Sequence, residues 1–181
     1  MLACFEPFIT YWQKLRDGEL LPSRENFHPA CVKDFMGRIV IVERLSSTHF
    51  MSRLVGTEIV TRLGHEYTGG DFLKLLTVPE SREDQLTFYN AVLDQPCGAW
   101  GEREIITNKG TYLAKILILP IRHAASHAGE FFTVFEFDQS LLLVSGVTFE
   151  HFGSLRQHAL LDVGAGIPDS LRHLPSELLP N

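Results

Sequence analysis

The stretch FMSRLVGTEIVTRLGHEYTGGDFLKLL, from Phe50 to Leu76, decides how the rest of the chain is interpreted. Its first residues, 50–55, are apolar or suited to extended backbone and predict a strand. Gly56 ends that strand, and the residues after it predict one or two helical turns up to Gly64. Residues 67–70 predict a second turn, because their two glycines accept positive φ angles without steric cost. The apolar residues that follow are expected to fold back toward the strand.

Length and composition restrict the class of protein. The chain has 181 residues, 45% hydrophobic and 21% charged, so one globular domain with extensions is expected. Its net charge is −6 and its 16 Lys and Arg residues are scattered singly, which argues against a nucleic-acid partner. Apolar runs are short, so neither a membrane span nor a signal peptide is predicted. Three distant cysteines, Cys4, Cys31 and Cys97, predict a reducing cytoplasm rather than a disulfide framework.

The N-terminal residues predict an amphipathic helix with a single apolar stripe. Spacings of three, one, three and three place five side chains on one face: Phe5, Phe8, Ile9, Trp12 and Leu15. Gly18 is expected to end this helix, and a linker rich in turn-forming residues follows. Two uses of the stripe stay open. It could pack on the domain's own sheet, or it could also pair with the same helix of a second subunit.

Residues 37–138 predict a small core of mixed helices and strands. Residues 38–43 are β-branched and predict a first strand, which precedes the strand at 50–55. Residues 79–95 predict the longest helix of this region, with acidic side chains near its N-terminus. Three strands are expected after that helix, at residues 100–107, 111–121 and 129–138.

The order of these elements resembles a bacterial family of small PAS-like sensory proteins. The resemblance rests on Arg53-Leu54-x-Gly56-Thr57, then Gly64, then Tyr67-Thr68-Gly69, and on Tyr11-Trp12-x-x-Leu15-Arg16 followed by Leu21-Pro22-Ser23-Arg24. It covers residues 8–138. It implies an α+β PAS-like fold with a five-stranded antiparallel sheet. Short helices and one longer helix would cover one face of the sheet, and the N-terminal helix would cover the other.

The resemblance also implies a sensory role, in which a small molecule or partner protein binds and another protein reads the change. PAS domains commonly dimerise through flanking helices, so a homodimer through the N-terminal stripe is expected. Haem is disfavoured because residues 79–95 contain no histidine, and a flavin light sensor because no cysteine lies between Cys31 and Cys97. An unidentified small-molecule ligand remains open. The alternative is a protein–protein interaction module with a packed interior and no ligand.

Strand periodicity indicates which side chains face the expected cavity. Arg53, Lys115 and Glu136 should point away from it, because burying an unpaired charge is costly. The hypothetical apolar lining comprises Phe50, Leu54, Phe72, Leu76, Ile116 and Phe131. Its polar members are Ser52, Tyr67, Tyr89 and Tyr112, with His65 beside the cavity turn. An interpretation that stays equally open is that these residues only fill the core. The opposite face also carries apolar side chains, and the N-terminal stripe is the candidate to cover them.

Other patterns point to less specific chemistry. Residues 161–166, Leu-Asp-Val-Gly-Ala-Gly, match the loop with which methyltransferases hold S-adenosylmethionine, but no helix or sheet can follow, so a turn is predicted. His123 and His127 have a metal-like spacing without an evident third ligand, which favours a solvated loop and no metal. Glu102 and Glu104 share one face of a strand, opposite Arg103, and predict an exposed charged edge.

The pattern weakens after residue 138. Phe149, Phe152 and Leu155 suggest the start of a helix, and partial order at best is expected beyond Asp162. The chain is therefore divided into an N-terminal helix and linker (1–36), a core (37–138) and a partly disordered C-terminal extension (139–181), with no output domain expected. No catalytic motif is present, so no enzyme is expected. A small cavity enzyme that depends on His65 or Tyr67 is the third class considered.

Overall fold

One sheet organises the chain, of which the computed structural model describes residues 2–76, 79–124, 126–138 and 146–179. Its strands are β1 (Ile39–Ser46), β2 (His49–Val55), β3 (Gly98–Thr107), β4 (Gly110–His123), β5 (Ser126–Phe137), β6 (Phe149–Asp162) and β7 (Ser176–Leu178). They lie in the order β2-β1-β5-β4-β3-β6-β7. Neighbouring strands are antiparallel, except that β7 runs parallel to β6.

Four α-helices and several single turns of 3-10 helix connect and cover the described strands. The helices are α1 (Glu6–Leu15), α2 (Lys33–Met36), α3 (Thr57–Leu63) and α4 (Pro79–Asp94). The 3-10 turns are Leu2–Phe5, Arg24–Asn26, Pro29–Val32, Phe72–Leu75 and Asp169–Leu171. Gly64 ends α3 in the left-handed conformation, at φ 63°, as its place in the sequence predicts. None of these helices is both long and apolar enough to cross a bilayer.

Apolar side chains form one core on each face of the sheet. The inner core lies between the sheet, α3, α4 and the turn at 72–75. The outer core lies between the sheet and α1. There the Phe8 ring meets the Phe132 ring edge-on at 5.5 Å, and the buried Trp12 indole donates to the Pro120 carbonyl oxygen at 3.0 Å. The predicted α+β class is confirmed, and so is the N-terminal helix as cover of the outer face.

The C-terminal part of the chain corrects the sequence prediction. Within the described residues the sheet has seven strands rather than five, because β6 pairs along the length of β3 and β7 adds beyond it. Phe149, Phe152 and Leu155 belong to a strand, so the predicted helix is wrong. Beyond it, the glycine-rich residues make the predicted turn, in which the Asp162 carboxylate accepts hydrogen bonds from the Gly164 and Gly166 amides at 2.7 and 3.0 Å. The division of the chain at residues 37 and 139 stays a prediction.

A β-bulge in β2 changes the face on which one predicted cavity residue lies. Ile41 of β1 pairs with Leu54, and Val42 pairs with Ser52, so Arg53 is the extra residue. Ser52 therefore faces inward, whereas Leu54 packs against the outer core. The placement of Leu54 in the cavity is wrong, because strict alternation along the strand does not survive the bulge.

Candidate functional site

The inner core gathers most of the side chains predicted to line a cavity. Those that it buries are Phe50, Ser52, Tyr67, Phe72, Leu76, Tyr89, Ile116 and Phe131. They come from β2, β4, β5, α4 and the turns after α3, which close over the inner face of the sheet. Elements distant in sequence therefore enclose one apolar space, as expected for a ligand cavity or for a packed core.

Aromatic rings occupy the centre of this space. The Tyr89 ring stacks on the Phe131 ring, with centroids 5.1 Å apart and an interplanar angle of 19°. The rings of Phe50 and Phe72 each lie 5.8 Å from Tyr89 in tilted or edge-on arrangements. Such arrangements are the favourable ones for aromatic pairs, so these four rings stabilise one another.

Three hydroxyls in the same space have no hydrogen-bond partner among the described residues. They are Ser52 Oγ, Tyr67 OH and Thr133 Oγ1, and all three side chains are buried. Leaving a buried hydroxyl unsatisfied costs about 1–3 kcal/mol, so native interiors rarely do so. Burial raises the pKa of the Tyr67 phenol, with a smaller contribution from Glu66, so this hydroxyl keeps its proton. The three hydroxyls are unused donors and acceptors at the inner face.

The remaining predicted cavity residues lie elsewhere. His65 is exposed, with its ring 6.1 Å from the Tyr67 ring and 6.0 Å from the Phe149 ring. Tyr112 is half-buried at the margin of the inner core. Leu54 lies on the outer face, as described above. His65 therefore caps the outside of the turn that carries Tyr67 and does not reach the interior.

Arg103 is the functional candidate that sequence reasoning missed. Its guanidinium is buried under α4, where it donates to Gln85 Oε1 at 2.8 Å, to the Gly153 carbonyl at 2.9 Å and to Tyr89 OH at 3.3 Å. Burial lowers the pKa of this guanidinium, an effect that Tyr89 opposes. Arg103 lies two residues before the inward-facing Ile105 on β3, so strand alternation could have predicted that its side chain also faces inward.

The predicted exposed charged edge at β3 is wrong, because β6 covers that edge. Glu104 is nearly buried, accepts a hydrogen bond from the Ser154 amide at 2.9 Å and pairs with Arg156. Glu102 is half-buried on the same outer face. The Glu104 carboxylate therefore connects β3 to β6.

The N-terminal stripe is used within the chain. Phe5, Phe8, Ile9 and Trp12 are each at most 2% exposed, and Leu15 is half-buried. Packing on the domain's own sheet, one of the two predicted uses, is thus what the structure describes. A homodimer stays a prediction, and a docked α1 does not present these four side chains to a second chain.

A polar cluster lies where β4 ends and β5 begins. The buried Glu130 accepts a hydrogen bond from Arg24 Nη1 at 2.8 Å, and its Oε1 lies 3.1 Å from His123 Nδ1. The side chain of His127, the other histidine of the predicted loop, lies outside the described residues. Across the ranges that the structure describes, no three His, Cys, Asp or Glu side chains converge as metal ligands.

Comparison with known proteins identifies related sequences and structures. The sequence model of a family described as PAS domain matches residues 3–135. No curated protein matches the chain. Among solved structures, the light-state structure of the blue-light photoreceptor Aureochrome1 LOV is similar, at 12% sequence identity and a TM-score of 0.36. That match covers 64% of this chain and 92% of the other. The family match extends from α1 into β5 and leaves β6 and β7 outside it.

Proposed function

Because the chain belongs to the PAS domain family, we propose that it is a cytoplasmic, non-catalytic sensory domain that binds a small, largely apolar molecule in its inner core. The observation that carries the proposal is the trio of buried hydroxyls, Ser52, Tyr67 and Thr133, for which the described part of the chain offers no hydrogen-bond partner. A ligand with one or two polar atoms would satisfy them and recover the free energy that their burial costs. The aromatic rings around them suit an apolar ligand body.

Binding at this position changes the aromatic packing, because stacked rings occupy the centre of the inner core. A ligand that reaches Thr133 or Ser52 displaces the ring of Tyr89 or Phe131 from the stacked arrangement. The Tyr89 hydroxyl accepts a hydrogen bond from Arg103, which also holds Gln85 on α4 and Gly153 on β6. Displacement of Tyr89 therefore alters contacts of both α4 and β6. Signalling requires that the ligand binds the arrangement with Tyr89 displaced more tightly than it binds the stacked arrangement.

A combined ligand and variant experiment tests the proposal. The protein is purified and denatured, and released small molecules are identified by mass spectrometry. A stoichiometric ligand is expected in the wild type and is expected to be depleted in Tyr67→Phe and Thr133→Val. Both substitutions remove an unsatisfied hydroxyl, so the ligand-free variants should be as stable as the wild type or more stable.

Tyr11→Phe is the matched control for Tyr67→Phe. The Tyr11 hydroxyl bonds to the backbone of His28 on the outer side of the sheet. Its loss should lower stability without changing the amount of ligand retained. Equal ligand retention in all four proteins would contradict a role of the three hydroxyls.

The second candidate function is an interaction module with a packed interior, acting through protein contacts or a homodimer. The observation that favours it is the packing of the Phe131, Phe50 and Phe72 rings around the Tyr89 ring, which needs no ligand to be stable. An empty wild-type protein, together with a dimeric mass in light scattering, would favour this function over ligand sensing.

A further inference from the structure

A cleft of about 420 Å³ lies where α4 packs against β6 and the segment 170–174. One wall comes from α4, and the others come from residues beyond the part of the chain that matches the PAS family. Phe88 and Leu171 of its lining also belong to the inner core, so the cleft lies beside that core and outside the stacked rings of Tyr89 and Phe131. Its volume is within the usual range for sites of small molecules.

An apolar wall and several polar groups converge in this cleft. Phe88 of α4 lies edge-on to the imidazole of His158 on β6, with ring centroids 6.3 Å apart. The polar lining also includes His173 and Gln85 and three hydroxyl residues, Thr87, Ser154 and Ser170, and leucine side chains complete the apolar lining. Asp84 lies at the margin and is exposed to water, which screens its charge.

A buried positive charge lies directly behind the lining. Arg103 is 3% exposed, and its hydrogen bonds among the described residues go to a carbonyl, an amide and a phenol, none of them a carboxylate. Buried guanidinium groups normally pair with an anion, because the interior screens their charge poorly. Gln85 gives its amide oxygen to Arg103, so its amide nitrogen is the donor available on the cleft side.

The protonation of His158 reflects the same positive environment. Burial lowers the pKa of its imidazole, a hydrogen bond involving the backbone of Leu155 opposes that shift, and the charges of Arg103 and His173 add to it. The groups that face His158 are thus Arg103 from β3, His173 from the 170–174 segment and the screened Asp84 from α4. An anion bound here reverses the repulsion and favours the protonated imidazole.

We propose that this cleft binds a small carboxylate with an apolar body. The carboxylate lies against Gln85, His158 and His173, within the field of Arg103, and the apolar body lies against Phe88. This site is separate from the proposed inner-core ligand and does not depend on it.

Calorimetric titration of the full chain with phenylacetate and with its uncharged counterpart phenylacetamide tests the proposal. Phenylacetate is expected to bind saturably with one site per chain, and the amide about tenfold more weakly, because it lacks the charge. Lowering the pH from about 8 to about 6 is expected to tighten phenylacetate binding, since protonation of His158 adds positive charge. Equal affinity for the two compounds, or no saturable phenylacetate binding at millimolar concentration, would overturn the proposal.

Variants locate the bound carboxylate. His158→Gln and His173→Gln should each weaken phenylacetate binding, and His158→Gln should also reduce its pH dependence. His28→Gln, which changes an exposed histidine outside the cleft, should leave the affinity unchanged. Tyr67→Phe should also leave the affinity unchanged. If Tyr67→Phe lost phenylacetate binding and His158→Gln retained it, the compound would bind in the inner core, and the assignment to the cleft would be overturned.

Discussion

At the scale of single residues, Gly56 explains part of the motif on which the family resemblance rests. A Cβ at this position would lie 2.4 Å from the carbonyl carbon and oxygen of Gly37. The two glycines meet because the Gly56 amide donates to the Ile39 carbonyl at 2.8 Å and the Ile59 amide donates to the Gly37 carbonyl at 3.1 Å. These hydrogen bonds hold the start of α3 so close to the start of β1 that only glycine fits at position 56.

We expect Gly56→Ala to lower the free energy of unfolding by about 3 kcal/mol, because the added methyl group meets backbone that cannot move aside. Gly18→Ala is the matched control. It has no atom within 4 Å of the new Cβ but sits at φ 85°, so its cost should be about 1 kcal/mol. Urea denaturation of both variants measures the difference. Equal destabilisation would show that the contact with Gly37 is not the constraint.

The buried Glu130 should make stability depend on pH. Burial raises the pKa of its carboxyl, and Glu43 adds to this, whereas Arg24 and His123 oppose it. A carboxyl whose pKa is higher in the folded state stabilises the fold below its unfolded pKa and loses that contribution as the pH rises through the folded pKa. The stability of the wild type relative to Glu130→Gln should therefore fall as the pH rises above the ordinary pKa of glutamate, about 4.3.

Glu66→Gln is the control of opposite sign for this measurement. The Thr68 amide donates to the Glu66 carboxylate at 2.8 Å and lowers the pKa of that carboxyl. The stability of the wild type relative to Glu66→Gln should be fully present above the ordinary pKa of glutamate, about 4.3, and should fall as the pH drops below it. Urea unfolding at several pH values gives both curves. A Glu130 difference that rises with pH would contradict the burial argument.

Alternation along the strands predicted much of the candidate site correctly, and its failures have local causes. It placed Ile116 and Phe131 inward on β4 and β5, where the strands are regular. It failed at Leu54, because the bulge at Arg53 shifts the alternation by one residue. It also missed Arg103, since a charged residue was taken to be exposed, whereas its burial depends on a neighbouring strand distant in sequence.

At the scale of elements, α1 acts as a fixed part of the outer core. Trp12 is fully buried and bonded to Pro120, so Trp12→Ala should lower the free energy of unfolding by about 4 kcal/mol. Leu15→Ala removes a half-buried side chain from the same stripe and should cost about 1 kcal/mol. Thermal or urea unfolding distinguishes these values. Similar small effects of both substitutions would indicate that α1 is only loosely docked.

The strand β6 shows why the C-terminal part could not be predicted from the sequence. Its pairing with β3 is interrupted by three register shifts, which disturb the alternation of inward and outward side chains. Phe149, Phe152 and Leu155 consequently recur every three residues, a spacing that is typical of a helix. The pairing of β3 with β4, which both lie within the family resemblance, has no register shift. The order of the elements that the resemblance covers was predicted correctly.

Loss of β6 should destabilise the domain. A chain that ends after residue 138 leaves the edge of β3 unpaired and removes Phe152 and Leu160 from the inner core. We expect this truncated chain to aggregate or to bind a hydrophobic dye. A chain that ends after Pro175 loses only β7 and should stay folded. Soluble yield and the dispersion of amide NMR signals test both, and a well-dispersed spectrum of the shorter chain would show that the PAS core folds alone.

At the scale of the whole molecule, one sheet connects the two cores. Successive residues of β1 alternate between them, with Ile39 and Ile41 in the outer core and Val40 and Val42 in the inner core. Strands β4 and β5 alternate in the same way. Neither core can lose its strands without disrupting the other, so the inner core, the proposed ligand site, belongs to a unit that includes α1.

Both cores should therefore unfold in one transition, although 181 residues exceed the usual size of two-state domains. In Trp100→Phe, the fluorescence of Trp12 reports on the outer core. In a variant with Cys4 and Cys31 changed to Ser, thiol labelling of Cys97 reports on the inner core. Burial, aided by Asp162, raises the pKa of this thiol to about 12, so it should react only after unfolding. Coincident urea midpoints are expected, and an earlier transition of Trp12 would show that α1 leaves the sheet before the inner core opens.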